Sequence, residues 1–182
     1  MLRALSGIVA SLLLAGVFAL VPDSPVHAQT TGAIQRGPTG LPLPRFVSLK
    51  ASRVNLRVGP GQDYAVSWLY LRRGLPLEVI QEYDNWRRVR DAEGTEGWIF
   101  QSLLSGARTG MAAPWLKSKQ ATIALDREPG GNSRTIALVE PGAIGEILSC
   151  NGEWCRMRFD GYEGWVEQGL VWGIYPGESY QR

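Results

Sequence analysis

The sequence predicts an all-β protein that consists of two small barrels in tandem. After the first 28 residues, no window of a dozen residues shows sustained helical periodicity. Short segments alternate apolar with polar residues and are bounded by glycine, aspartate or asparagine, as half-buried strands are. A set of landmarks recurs weakly at a spacing of about 68 residues, which indicates two copies of one structural unit.

Each copy is expected to hold five short strands. In the first copy, residues 66–71, 77–82 and 86–90 carry the alternation most clearly. Glycine, asparagine and aspartate pairs between them predict tight turns, and the second copy has Pro-Gly, Asn-Gly and Asp-Gly at comparable places. Many short strands with such turns are typical of a small barrel.

Residues 1–28 have the features of a secretory signal peptide. A 14-residue run of apolar and small residues follows a positively charged start, and small residues precede a cleavage site between Ala28 and Gln29. The run is short for a membrane span of roughly 20 residues, and a proline ends it. We therefore expect cleavage, no stable membrane span afterwards, and a periplasmic or secreted protein.

The remaining chain divides by composition. Residues 29–44 are polar and rich in glycine and proline, which predicts a flexible linker. The first barrel is expected at residues 45–107 and the second at residues 112–176. The first carries a small net positive charge and the second a small net negative one, so the two either pack together or meet different partners.

The landmarks of the first copy are Asn-Leu-Arg-Val-Gly-Pro-Gly at 55–61, Leu-Arg-Arg-Gly at 71–74, Trp-Arg-Arg-Val at 86–89 and Gly-Trp-Ile at 97–99. This series resembles the bacterial SH3-like (Src homology 3-like, SH3b) domain family. The second copy departs from it at the opening, where Asp126 stands at the position of Arg57. The resemblance implies an SH3-like barrel for each copy, in a family that includes wall-binding, receptor and scaffold proteins.

Two cysteines, Cys150 and Cys155, bracket a predicted hairpin turn. A disulfide is the default in an oxidising compartment, and the short closed loop limits its contribution to about 2 kcal/mol. If the cysteines face each other, the loop holds four residues, and the two-residue Asn-Gly turn that dipeptide statistics favour is wrong. A redox pair or a zinc site is the alternative, but the spacing is not Cys-x-x-Cys and two thiolates are too few for structural zinc.

The first copy has Glu82 and Arg87 at the positions of these cysteines. An acid and a base would then face each other across the equivalent hairpin. We expect an exposed ion pair there, worth under about 1 kcal/mol.

Few residues could carry catalysis. The single histidine, His27, lies in the predicted signal peptide, so the mature chain has no imidazole. The turn carboxylates lie beside arginines and are interpreted as solvated surface charge; they are Asp84, Asp91, Glu93 and Glu96. The formal net charge of +2 demands no nucleic-acid partner. We predict no catalytic residues, no metal and no cofactor.

Aromatic side chains are the better candidates for function. The candidate ligand-binding residues all lie in the first copy: Tyr64, Trp68, Tyr83, Trp86 and Trp98. The resemblance implies a shallow aromatic groove that accepts extended peptides, because rings give large contact area at low entropic cost. Core packing is the alternative: a core or half-buried position is favoured for Trp98 and its counterpart Trp165, whereas groove and core are evenly balanced for Tyr64 and Trp86.

Together these observations predict a non-enzymatic exported protein that binds cell-wall peptidoglycan or its peptides through the aromatic groove. The alternative is a periplasmic scaffold that docks another envelope protein. A cell-wall hydrolase is the weakest hypothesis, since only carboxylates remain to do the chemistry.

Overall fold

The structure is a computed structural model that describes residues 35–118 and 120–182. The predicted signal peptide, its cleavage site at Ala28 and Gln29, and His27 all lie outside the described residues. Within the described ranges, the helical segments are two single 3₁₀ turns, Gln101–Leu103 and Gln168–Leu170, and none is long and apolar enough to cross a membrane. The predicted all-β class is confirmed.

A short hairpin precedes the first barrel and pairs β1 (Gln35–Arg36) with β2 (Pro42–Leu43). The first barrel is an antiparallel sheet with the spatial order β5-β4-β8-β7-β6-β3-β9. Its strands are β3 (Arg45–Leu49), β4 (Val54–Arg57), β5 (Val66–Tyr70), β6 (Pro76–Tyr83), β7 (Trp86–Arg90), β8 (Glu96–Phe100) and β9 (Leu104–Ser105).

The second barrel repeats this order as β12-β11-β15-β14-β13-β10-β16, with β17 added beside β13. Its strands are β10 (Thr109–Ala112), β11 (Ile123–Asp126), β12 (Thr135–Val139), β13 (Ile144–Asn151), β14 (Trp154–Phe159), β15 (Tyr162–Glu167), β16 (Val171–Trp172) and β17 (Ser179–Gln181). The paired strands of the second barrel thus begin before and end after the predicted range of residues 112–176. Each barrel uses seven equivalent strands, where the sequence predicted five.

Details of the backbone repeat as well as the strand order. The pairing register shifts between Leu56 and Arg57 in the first barrel and between Leu125 and Asp126 in the second. The long hairpins β6–β7 and β13–β14 also carry a shift at equivalent positions. Because such bulges bend a strand and increase its twist, both sheets curl at the same places around their own apolar cores.

The predicted flexible linker is structured from residue 35 onward, which corrects that expectation for its second half. The β1–β2 turn packs on the first barrel, where the backbone N–H of Thr39 donates to a Glu82 carboxylate oxygen at 3.0 Å. The Thr39 hydroxyl donates to both oxygens of the same carboxylate at 2.8 Å. A contact with a residue 43 positions away has no local sequence signal, so glycine and proline content alone could not reveal it.

The ion pair between Glu82 and Arg87 is buried, contrary to the exposed pair that the sequence predicted. The two residues are register partners across β6 and β7, and their exposed fractions are 6% and 5%. Arg45 donates to Glu82 at 2.7 Å, and Arg87 also donates to the Gln101 side chain at 2.7 Å. These partners replace the water that both charges lose, as a buried pair requires.

The same contacts set the acidity of Glu82. Burial by itself raises the pKa of the carboxyl, but the hydrogen bonds from Thr39 and Arg45 outweigh it and hold the pKa below its usual range. The carboxylate is therefore charged in the folded protein at neutral pH and stabilises it.

At the equivalent place in the second barrel, Cys150 and Cys155 form a disulfide and are direct register partners. The predicted bond is confirmed, and Cys150 with Cys155 is the last register pair between β13 and β14 before the turn. Both cysteines belong to the buried core of the second barrel. The two barrels thus close the same hairpin with different chemistry.

The barrels pack directly on each other. Thr109 donates its hydroxyl to the carbonyl of Gly74 at 2.7 Å, and the Tyr175 hydroxyl donates to Glu78 at 3.0 Å. Met111, from the second barrel, is buried in the core of the first. This shared apolar contact joins the two cores.

Substitution Glu82→Gln is expected to destabilise the protein by about 3 kcal/mol at neutral pH, because it leaves buried guanidinium charge without its counter-ion. The folded-state pKa is lowered, so the carboxylate contributes fully above about pH 4.5 and its contribution is lost as the pH falls through the folded-state pKa. Urea unfolding of both proteins between pH 7 and pH 3 should show a difference that is constant above pH 5 and shrinks below it. A difference that grows in acid would contradict the assignment.

Replacing both cysteines, as Cys150→Ala with Cys155→Ala, should cost about 2 kcal/mol of unfolding free energy, because the open loop regains conformational entropy in the unfolded chain. Denaturation midpoints of the oxidised and reduced wild type and of the double variant provide the comparison. The reduced wild type should unfold close to the double variant. Equal midpoints for all three samples would show that the crosslink adds no stability.

Candidate functional site

Four aromatic side chains project from the outer surface of the first barrel. Alternation along β7 and β8 turns Arg87, Val89 and Ile99 inward, where they are buried. The intervening residues face outward, and the register pairs Tyr83 with Trp86 and Trp86 with Phe100. We call the outward set the aromatic face; it consists of Tyr83, Trp86, Trp98 and Phe100.

The rings of the aromatic face contact one another edge to face. The Tyr83 and Trp98 centroids are 6.4 Å apart at 81°, and those of Trp86 and Phe100 are 5.4 Å apart at 79°. Such pairs are favourable because the positive edge of one ring meets the negative face of another. Tyr83 is 59% exposed, whereas Trp86 and Trp98 are half-buried. The rings thus hold one another in place while keeping contact area for a ligand.

Basic side chains flank the aromatic face. Arg57 and Arg88 are the cross-strand neighbours of Trp98 on either side. Arg88 forms an exposed ion pair with Glu96 at 2.8 Å. Arg57 donates to the backbone carbonyl of Tyr64 at 2.6 Å, which ties the β4–β5 loop to the rim of the face.

The structure separates the predicted site residues into three places. Tyr83, Trp86 and Trp98 belong to the aromatic face. Tyr64 is exposed in the β4–β5 loop, and Trp68 lines a different cleft, together with Leu116 of the segment that follows β10. The tertiary structure makes this separation, because Trp68 lies on the edge strand β5.

Phe100 was missed by the sequence reasoning. The signal was present: Trp98 and Phe100 are two positions apart, and alternate residues of a strand share a face.

A close backbone approach places Trp98. A side chain at Gly97 would put its Cβ 2.5 Å from Leu56 Cγ and 2.8 Å from the carbonyl oxygen of Arg57, so β4 can cross β8 there only over glycine. Gly164 has the same role before Trp165, with the Asp126 carbonyl oxygen 2.6 Å from such a Cβ. The glycine of the repeated Gly-Trp landmark is therefore required by a strand crossing.

The second barrel keeps only part of the aromatic face. Trp154 and Trp165 occupy the places of Trp86 and Trp98, and Trp165 is half-buried, as expected. The strand register puts Asn151 where Tyr83 would be and Glu167 where Phe100 would be. Half of the rings are thus replaced by polar groups.

The described residues hold neither a free thiol nor a cluster of metal-ligand side chains. Both cysteines are in the disulfide, and across residues 35–118 and 120–182 no group of three or more histidine, cysteine, aspartate and glutamate side chains is arranged to hold a metal ion. Asp91 accepts hydrogen bonds from the Glu93 and Thr95 amides and from the Tyr70 hydroxyl. Its carboxylate therefore stabilises the turn between β7 and β8. Burial and this carboxylate together raise the pKa of Tyr70.

Two curled antiparallel sheets in tandem, with the same strand order, define a pair of small β-barrels. The chain belongs to the bacterial SH3 domain family, whose model matches residues 50–106 and again residues 119–173. Bacterial SH3 domains are cell-wall binding modules and are typically non-catalytic. The predicted family and the tandem arrangement are confirmed.

The solved structures that match the chain are distant. NlpC2 from Trichomonas vaginalis is 14% identical with a TM-score of 0.31, and the match covers 71% of this chain and 48% of that one. NlpC1 from the same organism is 12% identical with a TM-score of 0.32, covering 75% and 48%. An NlpC/P60 family protein from Bacillus cereus is 12% identical with a TM-score of 0.31, covering 70% and 55%. The chain spans about half the length of these proteins, and no curated protein matches it significantly.

Substitution Gly97→Ala should destabilise the first barrel by about 2 kcal/mol, because the new methyl group would overlap the strand that crosses there. Gly106→Ala is the matched control, since a Cβ at that position meets nothing within 4 Å. Thermal unfolding of both variants provides the measurement. Equal midpoints would mean that the crossing at Gly97 has room for a side chain.

Proposed function

We propose that the protein is an exported, non-enzymatic module that binds cell-wall peptidoglycan through the peptide parts of the polymer. The aromatic face of the first barrel is the observation that carries this proposal. Membership of the bacterial SH3 domain family supports the class of ligand.

The chemistry of the face suits an extended peptide. The ring pairs of Tyr83 with Trp98 and of Trp86 with Phe100 provide flat apolar area that is already ordered before a ligand arrives. A preordered surface loses little side-chain entropy on binding, which favours affinity. Arg57 and Arg88, beside Trp98, can meet carboxylates of an acidic peptide. Apolar contact and charge thus point to one ligand class.

Two further observations support export and a binding role. The disulfide suits an oxidising compartment outside the cytoplasm. The mature chain expected after cleavage at Ala28 has no histidine, and neither cysteine carries a free thiol. General-base and nucleophilic mechanisms that need an imidazole or a thiolate have no residues to use.

Sedimentation of the mature protein with purified peptidoglycan tests the proposal. Wild type should appear in the pellet, and Tyr83→Ala should bind about tenfold more weakly, because an exposed ring at the centre of a contact surface is a typical hot spot. Tyr162→Ala is the matched control. Tyr162 is 58% exposed and lies on the second barrel, so its loss should leave sedimentation unchanged.

Because Tyr83 is 59% exposed, its truncation should leave the thermal midpoint close to that of wild type. Wild-type protein that stays in the supernatant would overturn wall binding and leave the docking of an envelope protein as the remaining hypothesis. Equal losses for the two tyrosine variants would overturn the assignment of the face. Clearing of a peptidoglycan gel by the purified chain would overturn the non-enzymatic role.

A further inference from the structure

A second aromatic surface lies between the barrels, in a cleft of about 780 Å³ that we call the inter-barrel cleft. Rings from both barrels line it: Phe46 of the first barrel, and Trp115, Trp154, Trp172 and Tyr175 of the second. Trp115 is 48% exposed and Trp154 is half-buried. This surface is separate from the aromatic face of the first barrel.

The charged lining of this cleft is mainly acidic. Its lining includes four acidic residues, Glu78, Asp91, Glu153 and Glu167, and one basic residue, Arg90. Arg90 donates to Glu78 at 2.6 Å, and the Tyr175 hydroxyl donates to the other oxygen of that carboxylate at 3.0 Å. Both oxygens of the Glu78 carboxylate therefore already have hydrogen-bond partners within the protein.

The other two acids differ from this pair. Glu153 and Glu167 are exposed, and neither forms an ion pair with any residue in the described part of the chain. Trp154 is the cross-strand partner of Glu167 and directly follows Glu153 in the chain. Both acidic residues are thus immediate neighbours of one tryptophan in the lining of the cleft.

The two barrels differ in the side chains at these equivalent positions. Trp154 and Glu167 occupy the places that Trp86 and Phe100 hold in the first barrel. The second barrel therefore presents a ring beside a carboxylate where the first presents a pair of rings. A carboxylate next to an indole face favours a cation, because both the charge and the ring quadrupole attract it.

The walls of the cleft are fixed by contacts between the barrels. Phe46 packs edge to face on Trp172 at 5.2 Å and against Tyr175 at 4.8 Å. The Trp172 indole N–H donates to the carbonyl of Pro76 at 3.3 Å. A ligand would therefore meet a surface that is already assembled.

We propose that the inter-barrel cleft is a second ligand site, which takes a peptide segment carrying a lysine-type side chain with a terminal ammonium group. The methylene chain packs along the rings of Trp115 and Trp154, and the ammonium lies between the carboxylates of Glu153 and Glu167. Amphipathic cationic side chains bury their stems in this way while the charged end stays at the rim. The site takes a cation, whereas the basic rim of the aromatic face suits an anion.

Titration of the mature protein with the blocked peptide acetyl-Ala-Ala-Lys-Ala-Ala-amide tests the site. The matched probe is the same peptide with its lysine ε-amine acetylated. The free-amine peptide should shift the indole N–H resonances of Trp115 and Trp154 in NMR spectra and should bind about tenfold more tightly than the acetylated one. Equal affinities, or shifts confined to Trp86 and Trp98, would overturn the proposal.

The double variant Glu153→Gln with Glu167→Gln should bind the free-amine peptide about fivefold more weakly, because it removes both attractive charges. Glu128→Gln with Asp160→Asn is the control, since it changes the net charge equally at exposed positions outside the cleft lining. If both double variants lose the same peptide affinity, the loss reflects the change in net charge alone, and the proposed site is overturned. Tyr83→Ala should leave this binding intact, so the result is independent of whether the aromatic face binds peptidoglycan.

Discussion

Near the tip of the long hairpin in each barrel, one pair of buried side chains joins the two strands and holds the outer surface in place. We call this pair the hairpin crosslink, whether it is an ion pair or a covalent bond. In the first barrel it is the buried pair of Glu82 with Arg87, and in the second it is the disulfide of Cys150 with Cys155. The residue that follows the first crosslinked position, Tyr83, carries the most exposed ring of the aromatic face. In the second barrel the crosslinked loop provides part of the inter-barrel cleft. Loosening either crosslink would free the residues on which the corresponding proposed site depends.

The two crosslinks respond to different conditions. A buried ion pair is stable only while its desolvated charges keep every partner, so Thr39 of the leading hairpin becomes part of the first barrel. The disulfide needs no such partners, and in the second barrel the last strand, β17, pairs with β13 at Cys150 instead. Acid therefore weakens the first barrel through Glu82, whereas reduction weakens the second. The two repeats therefore differ in the interaction that closes the long hairpin and also in the side chains on their outer surfaces.

Docking of the barrels gives the protein a surface that neither repeat could form alone. Met111 joins the cores, and Trp172 with Phe46 fixes the cleft wall. The first barrel keeps its ring pairs facing outward with arginines beside them, and the second turns its tryptophan and unpaired carboxylates toward the cleft. A tandem repeat in which one copy keeps an aromatic face and the other replaces rings with acids can present two ligand chemistries on one compact unit.

The sequence by itself determined the all-β class, the tandem repeat, the family and the disulfide, because these depend on local alternation, turn residues and the spacing of landmarks. It also predicted one aromatic groove from Tyr64, Trp68, Tyr83, Trp86 and Trp98, without separating those on β6, β7 and β8 from the other two. Only the tertiary structure decided that Glu82 is buried, that Trp68 lies away from the aromatic face, and that a cleft forms between the barrels. Burial of a charge depends on every group packed around it, and here one of them comes from a segment 43 residues earlier in the chain. Such long-range contacts leave no periodic trace in the sequence, because each contributing segment satisfies only its own local pattern.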